Sequence, residues 1–286
     1  MLDLKGLLEQ SKGVREIVDS ELKRLLEEQF SREQFPHIWH HMRLDQLGVG
    51  KEDVLYSNKR LRCVLFLIIA ESMGVPRDDA LAVACALEIY HCASLAIDDL
   101  QDGDQDRCGR KALWAEMGEK MAINAAFLLM QAADRMIMEF LLKPQGAGEG
   151  FFFRAFDSLK RTAISMAAGQ SLDLCAKDLW PSGIKGYLEI VGGKSAALIA
   201  TVCEIATFYR CGEDDIRTLR DLGFAFGVLL QVADDADDLT VEGKGLDPSN
   251  VAFFWSQNKT LKPDRQSFGR SCAKSMKNVL QMLMTN

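Results

Sequence analysis

Residues 87–114, LEIYHCASLAIDDLQDGDQDRCGRKALW, run from small apolar side chains into a cluster of acids and then bases. At about 100° per residue on an α-helix, positions i, i+1 and i+4 share one arc of about 100°, so Asp98, Asp99 and Asp102 point into the same space. Three carboxylates so placed suit a divalent cation. A solvated acid patch is the commoner reading of such a cluster, but the residues just before it are small and apolar, which buries that helix face. The pattern also recurs. FGVLLQVADDADD at 226–238 is again an apolar helix ending in D-D-x-x-D, here Asp234, Asp235 and Asp238. Two such helices facing one another would hang six carboxylates over one cavity.

The rest of the chain reads as helix. With 286 residues, 48% of them apolar and only 6 prolines, it has material for a sizeable core and few strand signals. Segments rich in Ala, Leu, Met, Glu and Lys at 3.6-type spacing predict an all-α fold with almost no sheet. Helices are expected over residues 1–35, on either side of Gly74-Val75-Pro76, over about 116–143, from Phe151 to Leu174, and over 185–211 and 213–240. Residues 36–58 read as irregular, and His37, His40 and His41 there read as packing residues. KPQGAGEG and WPSG read as breaks, and a last amphipathic helix is expected near the C-terminus. No linker or composition shift interrupts this run, so a single helical domain over 1–286 is expected.

A formal net charge of -7 offers no basic footprint for nucleic acid. The 8 cysteines are scattered without a CxxC pair and read as buried thiols of a reducing compartment. MLDLKGLLEQSKG does not read as a signal or transit segment, and CVLFLIIA at 63–70 is too short for a membrane span. A cytoplasmic protein without a membrane span is the expectation.

Acid clusters without basic partners inside them ask for hard cations. Mg²⁺ takes few protein carboxylates and completes its shell with water and substrate phosphates. Cations for such an anion are at hand in Lys59, Arg62, Arg107, Lys194 and Lys244. Ala, Leu, Ile and Phe around them call for a ligand with a charged head and an apolar tail.

In these motifs and their order the chain resembles the trans-isoprenyl (polyprenyl) diphosphate synthases. The resemblance runs from about Lys59 to Lys244 through KRLR (59–62), His91 to Asp102, GQSLD (169–173), GKSAAL (193–198) and QVADDADD (231–238). It implies an isoprenoid-synthase-type bundle of ten or more helices around a deep central cavity, assembled as a homodimer. It implies Mg²⁺ bound by Asp98, Asp99, Asp102, Asp234, Asp235 and Asp238. Lys59, Arg62 and His91 match positions for the isopentenyl diphosphate. Arg107, Lys194, Ser195, Gln231 and Lys244 match contacts to the allylic diphosphate. Asp98, Asp99, Lys194, Gln231 and Asp234 would serve catalysis most directly, with Gln170 and Asp173 beside the reacting carbons. The implied reaction is head-to-tail condensation of an allylic prenyl diphosphate with isopentenyl diphosphate. Small residues at Ala93 and Ser94, where aromatic side chains stop growth in this family, imply a product of about C20 or longer, with Tyr90 the next floor.

The chain departs from the family pattern mainly on the acceptor side. Cys108 stands where a second arginine is usual, Cys63 replaces a proline, and Ala125-Ala126 replace Gly-Asp. The lysine-aspartate pattern after the second motif is reduced to KGLDPSN. A relative with another acceptor, such as a pheromone-peptide prenyltransferase or a class I terpene cyclase, therefore stays open at this point. So does a non-catalytic regulatory subunit of a synthase.

Overall fold

The computed structural model describes residues 4–44, 60–107, 109–141, 149–175, 184–209 and 211–238. These make nine helices. They are α1 (Leu4–Glu27), α2 (Pro36–Met42), α3 (Leu61–Ser72), α4 (Arg77–Asp102), α5 (Leu113–Met117), α6 (Glu119–Leu141), α7 (Glu149–Leu174), α8 and α9 (Glu213–Asp238). α8 starts as Ile184–Val191, passes through a π-helical turn at Gly192–Ala196, and continues as Ala197–Thr207. The sequence led us to expect ten or more helices; its C-terminal helix falls outside the described residues. The only sheet among them is a hairpin of β1 (Asp106–Arg107) and β2 (Arg110–Lys111), with Arg107 opposite Arg110.

The chain falls into two compact units, residues 1–157 with 205–211, and residues 158–204 with 212–286. In the first, α4 is the central helix. α3 and α6 pack along it, and α1 and α2 touch it as well. Ala80, Ala84, Ala93 and Ala96 on α4, and Ala122, Ala125, Ala126 and Ala133 on α6, are all buried. Small side chains on both helices let the two axes approach closely. Asp78 and Asp79 open α4 at its positive dipole end, and Gly103, at φ 75°, closes it in the left-handed conformation. α1 buries Val18, Leu22, Leu25 and Leu26, an i, i+4, i+7, i+8 stripe.

One stretch read as irregular is helical. Pro36–Met42 forms α2, with Pro36 in its first turn and Arg43 capping its end at φ 57°. Trp39 and Ile38 anchor it in the core. A seven-residue helix is too short to show a period, and proline at the start suits a first turn because its missing N–H has no partner there.

In the second unit α9 packs on the π turn of α8. Helices α4 and Lys185–Thr207 are long and apolar enough to cross a membrane by length and composition. They are mostly buried within the protein, as core helices are.

Candidate active site

The first aspartate motif occupies the C-terminal end of α4, the negative end of its dipole, where acids are disfavoured. Burial ranks its members. Asp102 is exposed and Asp98 partly so, whereas Asp99 is 1% exposed. Arg107 bonds Asp99 Oδ1 through Nε and lies 3.4 Å from Asp98 Oδ2 through Nη2. Asp99 Oδ2 is buried without a hydrogen-bond partner. Burial pushes the Asp99 carboxyl up to about 6, with Arg107 pulling the other way. A carboxylate oxygen left orphaned at a negative helix end is a place a cation would relieve.

The loop bearing Arg107 is tied back to α2. Arg43 donates through Nη2 to the Arg107 carbonyl, and His40 meets Arg110 Nη2 at 2.7 Å and Glu116 Oε2 at 2.7 Å. His41 donates through Nε2 to the Cys92 carbonyl at 2.6 Å, and burial pushes its ring down to about 4. His91 is driven well below the usual imidazole range by burial and then by the nearby Arg62 and Arg107 charges. It is therefore a neutral ring beside cations. Arg60, between the two motif cations Lys59 and Arg62, is structural: it is buried and pairs with Asp19 at 2.8 Å and Glu88 at 3.2 Å. The sequence reading gave none of His40, His41 and Arg43 a role. Their partners lie dozens of residues away, so no local spacing reveals them.

The second unit builds its own cluster around the second motif through close backbone approaches. A Cβ on Gly169 would lie 2.5 Å from the Lys194 backbone nitrogen, so only glycine lets α7 meet the π turn. One helical turn beyond Gly169, Asp173 Oδ2 takes Lys194 Nζ at 2.8 Å. A Cβ on Gly227 would lie 2.6 Å from Ala196 Cα. One turn beyond Gly227, Gln231 Oε1 takes Ser195 Oγ at 2.7 Å, and Gln231 Nε2 donates to Asp235 Oδ1 at 2.9 Å. Tyr187 OH donates to the other oxygen, Asp235 Oδ2, at 2.9 Å. Asp235 is 7% exposed while Asp234 is exposed. π turns let a helix rotate side chains out of register and recur at functional sites.

The structure thus brings together Arg107 with Asp98 and Asp99, Arg62 with His91, Lys194 with Asp173, and Ser195 with Gln231 and Asp235. Gln170 is partly buried near the end of α7. Lys59, Cys108, Lys244 and the side chain of Asp238 lie outside the described residues. Among the described residues, no three His, Cys, Asp or Glu are drawn tightly enough to hold a metal ion by themselves. Carboxylates spaced this way suit an oxygen-seeking cation that takes part of its shell from water and phosphate. Both motifs end helices, and both second aspartates are buried against neighbours while their first partners reach solvent.

An all-helical fold carrying aspartate motifs at two helix ends, with GQxxD and GKS segments in contact, defines an isoprenoid-synthase type of protein. The polyprenyl synthetase family model matches residues 52–249, and the chain belongs to that family. A geranylgeranyl diphosphate synthase of Sulfolobus acidocaldarius is 30% identical over 206 residues, 72% of this chain and 62% of the relative. A geranylfarnesyl diphosphate synthase of Aeropyrum pernix is 31% identical over 191 residues, 66% of this chain and 59% of the relative. The chain spans about three fifths of the length of the curated relatives it matches. The solved geranylgeranyl pyrophosphate synthetase of Geoglobus acetivorans shares the fold at TM-score 0.72 and 23% identity, covering 92% of this chain and 84% of that one. An isoprenoid synthase family member from Thermotoga neapolitana does so at TM-score 0.66 and 20% identity, over 95% and 97% of the two chains.

Proposed function

We propose that this protein is a Mg²⁺-dependent prenyltransferase that joins an allylic prenyl diphosphate to isopentenyl diphosphate head to tail, releasing a trans-prenyl diphosphate of about C20 or longer, as the names of its relatives suggest. The observation that carries this reading is Asp99, buried at a negative helix end with one oxygen on Arg107 and the other orphaned. Asp98, Asp99, Asp102, Asp234, Asp235 and Asp238 are the proposed ligands, with Asp99 also held by Arg107 and Asp235 by Tyr187 and Gln231. Mg²⁺, when bound, supplies positive charge that stabilises the departing diphosphate. Arg107 and Lys194 grip its oxygens, with Gln231, Ser195 and Lys244 as further contacts, and Lys59, Arg62 and neutral His91 receive the isopentenyl diphosphate. The allylic C–O bond breaks to a cation and diphosphate, the alkene of isopentenyl diphosphate attacks, and a proton leaves to the released diphosphate. Apolar walls keep water from the cation. A single working domain and a homodimer belong to the same reading.

A different acceptor is the second reading. Arg110, the nearest stand-in for the arginine replaced at Cys108, is tied to His40. Incubation with Mg²⁺ and geranyl, farnesyl or geranylgeranyl diphosphate, with and without isopentenyl diphosphate, decides between them. Elongated diphosphates support condensation. Hydrocarbon without isopentenyl diphosphate supports a cyclase, and turnover only with a partner protein supports a regulatory subunit.

A further inference from the structure

Tyr187 lies in the first turns of α8 and is 0% exposed, on the same buried apolar face as Ile190 and Val191. Phenylalanine would fill the same volume, so its hydroxyl needs a reason. A buried O–H without a partner costs about 1–3 kcal/mol, and here it has one, donating to Asp235 Oδ2 at 2.9 Å. The opposite oxygen of Asp235 takes Gln231 Nε2 at 2.9 Å, and Gln231 Oε1 takes Ser195 Oγ at 2.7 Å. The directions are fixed throughout. An ionised Asp235 only accepts, so Gln231 must present its amide nitrogen to it and its carbonyl to Ser195. That leaves the second amide hydrogen of Gln231 with one defined direction. The network joins α8, its π turn and α9, and it reaches Asp235, the buried middle aspartate of the second motif.

We propose that Tyr187 is a positioning residue for the second aspartate motif: its hydroxyl fixes Asp235, and through Asp235 fixes Gln231 and the helix end that presents Asp234. The inference rests on the proposed reading of that motif as a divalent-cation and diphosphate site. Neighbours that hydrogen-bond a ligating group typically govern about 10–100-fold of metal affinity.

The test uses the full chain with Mg²⁺ and inorganic pyrophosphate, measured by titration calorimetry, and the metal-free melting temperature as a fold check. Tyr187→Phe is expected to bind Mg²⁺ with pyrophosphate about 10-fold more weakly while melting within a few degrees of the parent. Unchanged affinity in Tyr187→Phe overturns the proposal, as does a loss no larger than its loss of metal-free stability accounts for. Should Tyr187→Phe fail to fold, Tyr187→Met, which also fills the space without a hydroxyl, is measured in its place: weakened binding upholds the positioning role and unchanged affinity overturns it. Binding by the parent without prenyl condensation would sink the proposed reaction and leave the positioning role standing. A parent that binds neither ligand overturns both.

Discussion

Asp98 and Asp99 are neighbours in sequence with opposite surroundings, because successive helical positions differ by about 100° and only one of them turns into the core. Spacing showed both as candidate ligands; it takes burial to separate the accessible carboxylate from the one that holds Arg107. Asp98→Ala should therefore cost about 10²-fold or more in Mg²⁺-dependent turnover of an allylic diphosphate, with the fold intact by circular dichroism. In the proposed reading, product length also turns on single residues. Ala93 is buried on α4 one turn above the motif, and Tyr90 is buried nearly one turn further, its phenol pushed up to about 12 by burial and then by Asp134. Ala93→Phe is expected to shorten the product, read by chromatography of the dephosphorylated prenols. An unchanged length removes Ala93 from the tail channel. Tyr187 shows what remained hidden at this scale. A tyrosine on an apolar helix face looks like core, and the Asp235 oxygen its hydroxyl meets lies 48 residues away.

Among the elements, the glycines were readable as motif letters and their reason was not. The G of GQSLD and the G of GKSAAL meet each other backbone to backbone, which sets Lys194 beside Asp173. Gly169→Ala would force α7 and α8 apart, costing about 1–3 kcal/mol by overpacking and displacing Lys194 from its partner. Its melting temperature and turnover should both fall. Gly13→Ala is the control: it is exposed within α1 with nothing within 4 Å, so it should be neutral or stabilising by about 0.5–1 kcal/mol. α2 was missed because seven residues carry no period, yet it carries a pH signature. His41 has its folded pKa depressed to about 4 from 6.5, so the folded state favours the neutral ring. Between those values the unfolded chain binds more protons, and stability falls as pH falls through that window. The contribution is on the order of 3 kcal/mol above pH 6.5 and is lost by about pH 4. Melting temperatures of the parent should drop across this range more steeply than those of His41→Gln.

At the scale of the whole molecule, helical class followed from composition and period, and the family followed from the order of the motifs, because both are written locally along the chain. The division into two compact units was not legible, since two of its three boundaries fall inside α7 and α8, where neither a linker nor a change of composition marks them. How copies associate is equally unmarked in one sequence, but the first unit offers an observation. On α6, Ala122, Ala125, Ala126 and Leu129 are buried, while Ile123 and Phe127, an i, i+4 pair, are 53% and 61% exposed. Exposed large apolar side chains adjacent on one helix face are costly to leave in water, and they commonly mark a surface that another chain covers. The homodimer in the proposed reading supplies that chain. Burying both side chains in two copies would contribute several kcal/mol, and glutamate at both positions would instead place like charges across a symmetric contact. The parent should run as a dimer in light scattering at micromolar concentration, and the Ile123→Glu, Phe127→Glu double variant as a folded monomer. A double variant that stays dimeric would move the contact to another face.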